Sequence, residues 1–509
     1  MSTLYLTMFI VALDKTIIGT AIPRITDDFH SLLSIGWYAS SYLLTLCGFQ
    51  LLWGRIYTFY PAKTCFIIAL LIFEVGSAMC GAAPTSNVFI LGRAIAGLGS
   101  AGIMSGSVIV MIETVPLEKR PGFQGLLGGT FAIASVVGPL LGGVFTEHVS
   151  WRWCFYINLP CGAVAVAIQL LVFKSPAKEK KRVSLAQQFR QLDPIGMVFF
   201  LPSIICLLLA LQWGGTTYAW SSWRIILLLV LFAVLAIGFV VVQVWMPETA
   251  TIPLRILKQR TIAAGAFYSF TAYSSMFIIT YYIPTFFQAL KDFSPTESGE
   301  ALLPFIVALF IGAIVAGGLV QHLGYPSPFM ILSSIILTVG AGMISTWSVT
   351  VGSNRWIGFQ FIVGLGTGLG MQQPNLLAQI VLPKEDAAMG VTLPFFAQNL
   401  GGAVFVSVAQ NLFTVTLATQ VNKIPGVHVS RQEIVEMGAT SIRNLVPEGM
   451  VGLFLDGYRI AIRNVVYLGV GLAAASIIGS VLVEFRSVKE GKTDGGEKGG
   501  KEAVDKADV

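Results

Sequence analysis

Long apolar runs separated by short polar segments occupy most of the chain between residues 4 and 485. An apolar run of about 20 residues is long enough to cross the hydrocarbon core of a bilayer as an α-helix. The pattern therefore predicts an all-α integral membrane protein with about fourteen transmembrane helices. The expected spans are residues 4–23, 35–54, 63–83, 88–113, 121–145, 152–173, 193–213, 223–246, 262–287, 299–321, 328–347, 355–377, 388–418 and 464–485.

The composition excludes a water-soluble protein. Apolar residues make up 55% of the chain and charged residues only 11%, which lies far from soluble usage. The net charge of +6 comes from basic residues spread over short loops and the C-terminal tail, so it does not indicate binding to nucleic acid. The six cysteines lack the spacing of a metal site or a disulfide framework. We therefore expect no metal and no cofactor.

Lys and Arg residues are concentrated in alternate short loops. If the N-terminus is cytosolic, the short inside loops hold fourteen basic residues and the short outside loops hold five. The positive-inside rule then places both termini in the cytosol. Residues 486–509 are mostly Gly, Lys, Glu and Asp without an apolar face, which predicts a disordered cytosolic tail.

A repeated glycine pattern divides the chain into two related halves. Gly97-Leu98-Gly99-Ser100 in the fourth span matches Gly364-Leu365-Gly366-Thr367 in the twelfth, and Gly142-Gly143 in the fifth matches Gly401-Gly402 in the thirteenth. Many transporters are built from such repeats. The pattern predicts a six-helix bundle at residues 1–173, a basic cytosolic linker at 174–192, two inserted helices at 193–246, and a second six-helix bundle at 247–485 with a long extracytosolic loop at about 419–462.

Ionisable residues inside the predicted spans lie mainly in the first half. Asp14 sits near the middle of the first span, where a carboxylate costs about 2.5 to 3.5 kcal/mol on insertion scales and is by default a candidate proton or substrate site. Glu74 and Arg93 lie in the third and fourth spans. In the second half, the position equivalent to Arg93 is Gln360. We predict proton coupling by Asp14, Arg93 and Glu74. A structural carboxyl hydrogen-bonded to a neighbouring helix is the alternative for Glu74.

Aromatic and amide side chains are the candidates for the substrate cavity. Such a lining suits a bulky, partly apolar, weakly charged organic molecule. Anchoring at the membrane interface is the alternative for the aromatic residues of the second span and for the residues at the end of the ninth. The predicted lining residues are Trp37, Tyr42 and Gln50 in the second span, Tyr282 and Gln288 in the ninth, Gln372 and Gln373 in the twelfth, and Gln398 and Asn399 in the thirteenth.

The fifth span contains Gly138-Pro139-Leu140-Leu141-Gly142-Gly143. Gly138, Gly142 and Gly143 leave one stripe of the helix without side chains, so that a neighbouring helix can pack closely. Pro139 removes a backbone donor and bends the helix. We interpret this segment as a seam about which the two halves rock, with an ordinary Pro-kinked helix as the alternative.

Taken in order, these segments resemble the major facilitator superfamily, in its fourteen-span drug:proton antiporter branch, and particularly the fungal multidrug and toxin exporters. The resemblance covers residues 4–485. Ala12–Ile18 with Ala21–Pro23 resembles the first-span motif of that branch, and Gly92–Gly99 resembles the fourth-span motif, whose Arg the family uses in proton coupling. Gly138–Gly143 matches the antiporter motif, and Trp151–Pro160 matches the stretch that follows it.

The loop after the second span departs from the family pattern Gly-x-x-x-Asp-Arg-x-Gly-Arg-Arg/Lys. Here Gly54 is followed by Thr58 and Phe59 at the Asp-Arg positions and by Pro61 at the second Gly. Most of the charge of the motif is missing. The cytosolic latch that this loop provides in other members therefore does not carry over to this sequence.

Other function classes fit the sequence less well. A nucleotide-driven pump would need a Gly-x-x-x-x-Gly-Lys-Ser/Thr loop, which does not occur. The four His residues lie at or outside span ends, which disfavours an intramembrane enzyme. The sequence predicts a proton-coupled secondary exporter of small organic molecules (a drug, toxin or fungal secondary metabolite) that works by alternating access. An importer or facilitator of the same fold, for siderophores or sugars, is the alternative. We expect a monomer in the plasma membrane, with the vacuolar membrane as the alternative.

Overall fold

The computed structural model describes residues 1–30, 35–172, 190–215, 217–247, 249–424 and 450–489. These residues are almost entirely helical. The first half of the chain forms α1 (Ser2–Phe29), α2 (Ile35–Phe59), α3 (Ala62–Ala82), α4 (Ser86–Thr114), α5 (Arg120–His148), α6 (Trp153–Tyr156) and α7 (Asn158–Val172).

The rest of the chain continues the same pattern. The last helix begins at Val451, well before the expected residue 464, and the expected span 355–377 is divided into two helices that break at Met371 and Gln372. The helices are α8 (Pro194–Trp213), α9 (Trp223–Trp245), α10 (Leu254–Leu257), α11 (Arg260–Lys291), α12 (Pro295–Glu300), α13 (Leu303–Leu323), α14 (Ser327–Ile344), α15 (Ser353–Gly370), α16 (Gln373–Val381), α17 (Ala387–Val421) and α18 (Val451–Leu482).

Twelve helices in the described part of the chain are long and apolar enough to cross a membrane. The chain is therefore a multi-pass membrane protein. The helices α2 and α15 are not among the twelve, and each carries a wholly buried amide, Gln50 and Gln360 respectively. A helix enclosed by protein can hold polar side chains that a lipid-facing helix cannot. By contrast, only 6% of the apolar stretch of α9 is buried inside the protein, so this helix faces lipid.

The glycine repeat has the same structural role in both halves. Gly97 packs against α2 and Gly99 against α3, while Gly364 packs against α13 and Gly366 against α14. At each of these positions a Cβ atom would collide with backbone atoms of the neighbouring helix. The equivalent pairs α1–α5 and α11–α17 also pack together. The fourth helix of each half is thus held between its second and third helices by two bare backbone contacts.

Two seams join the halves. At one seam α5 packs against α13, and at the other α2 packs against α17. The helix α8 lies along the second seam, where it contacts both α2 and α17. The Trp37 ring of α2 meets the Trp213 ring of α8 with centroids 6.0 Å apart, and Trp220 donates to Asn411 of α17 at 3.1 Å.

Candidate functional site

Asp14 and Arg93 form a buried ion pair between α1 and α4. The Arg93 Nη1 donates to the Asp14 Oδ2 at 2.6 Å, and the two side chains are 2% and 0% exposed. Asn158 of α7 donates to the other carboxylate oxygen at 3.3 Å. Each charge offsets the desolvation of the other, so removing one partner would leave an uncompensated charge inside the protein. The two residues that the sequence singles out independently are therefore brought together.

Tyr38 and Tyr42 of α2 fix the position of the guanidinium group. Arg93 Nε donates to the Tyr38 carbonyl at 3.1 Å, and the guanidinium carbon lies 4.4 Å from the centre of the Tyr42 ring. The Tyr42 hydroxyl donates to Ser100 at 2.5 Å. Tyr42 is 1% exposed, so the structure places this predicted cavity residue inside the first half, where it supports Arg93.

Glu74 lies at the contact between α3 and α7. A Cβ atom added at Gly162 would collide with its carboxyl group, so the absence of a side chain at Gly162 leaves room for it. Both carboxyl oxygens are buried, and neither has a hydrogen-bond partner among the described residues. Ser77, one turn further along α3, accepts a hydrogen bond from Asn158 at 3.2 Å. A line of polar groups thus leads from Asp14 through Asn158 and Ser77 towards Glu74.

Lys15 is a second cation beside Asp14 that the sequence analysis did not single out. Its side chain is half-buried, and its Nζ approaches the Met104 Sδ of α4 at 3.6 Å. The signal that could have found it is simple, because Lys15 is the neighbour of Asp14 within the same apolar run. We expected the ionisable centre to contain Asp14, Arg93 and Glu74, and the structure adds Lys15 to it.

The glycine stripe of α5 packs within the first half. Gly138 lies against Thr16 of α1 and Gly142 against Thr20, whereas a Cβ at Gly143 would have no described heavy atom within 4 Å. Pro139 lies inside α5. The closest contacts of α5 with the second half are made near its start, where a Cβ at Gly125 would lie 2.6 Å from the Ala313 carbonyl of α13. The start of α5 therefore forms the seam between the halves, whereas the antiporter motif, further along the same helix, packs within the first half.

Amide side chains line the α5–α13 seam. A pocket with about 220 Å³ of atom-free space, part of it open to solvent, lies here between the halves and is lined by Gln124, Gln372 and Gln373. Neither amide atom of Gln124 has a hydrogen-bond partner among the described residues, and neither does the Gln373 Oε1. Gln372 and Gln373 thus lie at the contact between the halves. The break between α15 and α16 places them there.

Gln398 and Asn399 lie on α17, the other helix that joins the halves. Both are buried, and the Asn399 amide donates to the Phe395 carbonyl of its own helix at 2.8 Å. Gln50 is wholly buried and donates to Ser105 of α4 at 2.6 Å. Gln50 therefore ties α2 to α4 inside the first half.

Three other predicted lining residues do not line the amide-lined pocket of the α5–α13 seam. Trp37 packs on α8, which lies along the second seam. Gln288 donates to Ser298 at 2.8 Å, between the end of α11 and α12. Tyr282 donates to Gln410 at 3.1 Å and lines a separate pocket of about 340 Å³, part of it open to solvent, between α11, α14 and α18. Sequence position alone did not reveal which side of each helix faces its own bundle.

Asp193, at the start of α8, is a buried carboxylate that ties α8 to α9 and to the segment before α10. Asp193, which is 2% exposed, accepts from the Gly196 backbone at 2.8 Å, from the Gln243 side chain at 2.6 Å, and from the Thr251 backbone and hydroxyl, both at 2.8 Å. We call these residues the Asp193 cluster. Arg55, at the end of α2, donates beside it to the carbonyls of Gln191 and Thr249 at 2.8 and 3.1 Å.

A second charged contact links this segment to α17. Arg255 of α10 makes two parallel hydrogen bonds to Asp386, at the start of α17, of 2.6 and 2.7 Å. Bidentate pairs of this kind add geometric specificity as well as energy. Arg55, Asp193, Arg255 and Asp386 are thus charged groups with defined partners near the ends of α2 and α9 and the start of α17.

We expect Asp193→Asn to destabilise the protein by about 1.5 to 3 kcal/mol, the range for hydrogen bonds to a charged group. The amide nitrogen of Asn would face the donors that now converge on one carboxylate oxygen. Thermal unfolding of the protein in detergent measures the effect. Asp456→Asn is the control, because the Asp456 side chain is 63% exposed and its ion pair among the described residues is with Arg459 of its own helix. Equal melting temperatures for the two variants would contradict this role of Asp193.

The comparisons with known proteins agree with this architecture. The family model described as Major Facilitator Superfamily matches residues 4–406. The chain belongs to the major facilitator superfamily. Two fungal members of that superfamily are similar over nearly the whole chain. "MFS-type efflux pump MFS1" of Arthroderma benhamiae is 50% identical over 96% of this chain and 92% of its own. "Rubrofusarin-specific efflux pump aurT" of Gibberella zeae is 48% identical over 95% and 88%.

A solved member of the superfamily shows the same fold at low sequence identity. The proton:xylose symporter XylE, bound to 6-bromo-6-deoxy-D-glucose, superposes with a TM-score of 0.56 at 14% identity, over 92% of this chain and 93% of its own. At this identity the likeness concerns the fold alone. The superfamily and its named relatives indicate a transporter rather than an enzyme.

Proposed function

We propose that the protein is a proton-coupled secondary active exporter of small organic molecules, such as a drug, a toxin or a fungal secondary metabolite, and that it works by alternating access. The observation that carries the proposal is the Asp14–Arg93 pair, an exchangeable acid wholly buried in a membrane-spanning helix. The fungal relatives with about half of their residues identical are named efflux pumps, which supports export. Import or facilitated diffusion by the same fold remains the alternative.

Our proposed topology has fourteen membrane helices with both termini in the cytosol. Twelve of the fourteen are the apolar helices. The other two are α2, the second helix of the first half, and α15 with α16, which together form the fourth helix of the second half. The helices α8 and α9 form the inserted pair. The distribution of Lys and Arg supports this orientation. We propose the plasma membrane as the location, the vacuolar membrane being the alternative, and a monomer as the working unit.

The contacts between the halves fit a state that is closed on the cytosolic side. In the proposed orientation the end of α2 and the start of α5 face the cytosol. Both seams are tight there: a Cβ at Gly54 would lie 2.7 Å from the Thr392 hydroxyl of α17, and one at Gly125 would lie 2.6 Å from the Ala313 carbonyl. Opening these two contacts would expose the amide-lined pocket to the cytosol. Substrate would then enter between Gln124 and Gln373.

The proton step uses the charges of the first half. We propose that a proton arriving from outside neutralises Asp14 and loosens its bond to Arg93, and that its release to the cytosol restores the pair. The polar line through Asn158 and Ser77 makes Glu74 a second proton site, because a buried carboxyl without a donor is costly in its charged form. Substrate leaves in exchange. The two steps are coupled because α1 and α4 carry the ion pair while α5, packed on α1, forms one seam.

The direction of transport tests the proposal. The purified protein is reconstituted into vesicles, a pH gradient is imposed, and the uptake of a labelled aromatic metabolite is followed together with internal pH. We expect accumulation of substrate in the acidic compartment, accompanied by proton efflux from it. Movement of substrate and protons in the same direction would identify an importer, and transport indifferent to the gradient would identify a facilitator.

A further inference from the structure

Lys15 is an ionisable group that the proton step leaves without a role. It lies inside the 28-residue helix α1, directly after Asp14. A lysine within a membrane span is costly and is by default part of a functional site. Its side chain is half-buried, whereas Asp14 and Arg93 are 0% and 1% exposed. Lys15 is therefore more accessible than the ion pair beside it.

The nearest carboxylate is already occupied. Asp14 accepts from Arg93 at 2.6 Å and from Asn158 at 3.3 Å. Among the described residues, no carboxylate lies within the 4.0 Å ion-pair distance of the Lys15 Nζ. The contact that Nζ does make, with the Met104 sulfur at 3.6 Å, involves only a weak acceptor. Asp14, Arg93 and Lys15 together carry one excess positive charge when all three are ionised.

The face of α1 that carries Lys15 is open on one side. Gly19 lies one turn further along the same face and is exposed, and no described heavy atom lies within 4 Å of where its Cβ would be. One turn before Lys15, Val11 is 2% exposed. Because the Lys15 Nζ reaches Met104 of α4, this face looks across the first half rather than into lipid. The open space therefore begins at Lys15 and runs towards the end of α1 that leads into α2.

We propose that Lys15 binds the acidic group of the exported molecule, a carboxylate or phenolate on an aromatic body. This assignment rests on the proposed export function and names the substrate class for it. A bound organic anion supplies the Lys15 ammonium group with the anionic partner that no described residue places within ion-pair distance. The thioether of Met104 lies beside the ammonium group and offers an apolar, polarisable surface to the body of the ligand. A neutral molecule of the same shape makes the apolar contacts without the ion pair.

Equilibrium binding of two matched probes tests the proposal. The full-length protein, in nanodiscs of phosphatidylcholine at neutral pH, is titrated with 2-naphthoate and with its uncharged analogue 2-naphthamide. We expect the wild-type protein to bind the carboxylate about tenfold or more tightly, the usual strength of a hydrogen bond to a charged group. Lys15→Gln should lose this preference and Lys15→Arg should keep it. Lys258→Gln, which removes an exposed charge beside α10, should bind like the wild-type protein.

Two results would overturn the proposal: a wild-type protein that binds both probes equally, or a Lys15→Gln variant that still prefers the carboxylate. Neither result touches proton coupling, which is measured separately in vesicles. A protein that prefers the carboxylate through Lys15 but transports without regard to the pH gradient would contradict the export mechanism and leave the anion site standing. The two claims therefore fail independently.

Discussion

Replacing Asp14 with Asn is expected to abolish the accumulation of substrate against its gradient while downhill exchange continues. The amide side chain of Asn cannot take up and release a proton at the pH of the assay. The pH gradient could therefore no longer drive the movement of the halves. The expected loss is complete rather than partial, because no described acid other than Asp14 pairs with Arg93. Uptake into vesicles with and without a pH gradient measures both quantities in one preparation.

Asp28→Asn is the matched control for this variant. Asp28 lies on the same helix, but its side chain is 49% exposed and its pair with Arg152 spans 3.3 Å. Such surface pairs contribute about 0 to 1 kcal/mol, so transport should continue. Asp14→Asn also leaves Arg93 without its partner, at a cost of about 3 to 5 kcal/mol; the double variant Asp14→Asn with Arg93→Gln removes both charges and separates loss of coupling from loss of folding. Accumulation by a well-folded double variant would contradict the assignment.

Replacing Gly125 with Val is expected to prevent closure of the cytosolic seam and so to stop transport. The Cβ atom would lie 2.6 Å from the Ala313 carbonyl, a backbone atom that cannot move aside without shifting α13. Overpacking of this kind costs about 1 to 3 kcal/mol. That penalty falls on the closed state, because the contact joins the two halves. The measurement uses Gln373→Cys as the single cysteine, in a protein whose six native cysteines are replaced. Thiol labelling of this cysteine from the cytosolic side should be faster with Gly125→Val than without it.

Gly143→Val is the control on the same helix. A Cβ at Gly143 would meet no described heavy atom within 4 Å, so this variant should transport and label like the wild-type protein. The comparison is informative because the sequence pattern groups Gly143 with the antiporter motif and gives no special place to Gly125. If Gly143→Val were inactive and Gly125→Val active, the assignment of the seam would be wrong.

The sequence predicts the helices well because each apolar run must satisfy its backbone hydrogen bonds internally in a membrane. It also singles out Asp14 and Arg93, because a charge inside an apolar run is costly unless it is paired or functional, and the structure brings the two side chains together. The sequence also shows that Gly364 and Gly366 repeat the positions of Gly97 and Gly99. These glycines pack on equivalent helices in both halves.

Other features could not be read from the pattern because they depend on which face of a helix is turned inward. Tyr42 and Gln50 carry the chemistry of a cavity lining, yet both turn towards α4 and stabilise the first half. The polar start of α18 hides the onset of the last helix: Asp456, Arg459 and Arg463 precede the expected span but belong to the helix. Their charges lower the local hydropathy and made residue 464 look like the boundary.

The polar contacts near the start of α8 and the start of α17 are made by residues outside the family motif. The loop after α2 lacks the Asp and Arg of its family motif, and the charged contacts at this end of the seam are made instead around Asp193 and between Arg255 and Asp386. Asp193 and Gln243 tie the start of α8 to α9, whereas Arg255 and Asp386 tie α10 to the start of α17.

If Asp14 carries the proton that drives export, the transport of substrate must move protons across the membrane in the opposite direction. Vesicles loaded with a pH-sensitive dye report protons released as substrate is added, with the Asp14→Asn and Asp28→Asn proteins measured alongside. We expect substrate-dependent proton flux for the wild-type and Asp28→Asn proteins and none for Asp14→Asn. Substrate-dependent proton flux through the Asp14→Asn protein would contradict this role of Asp14.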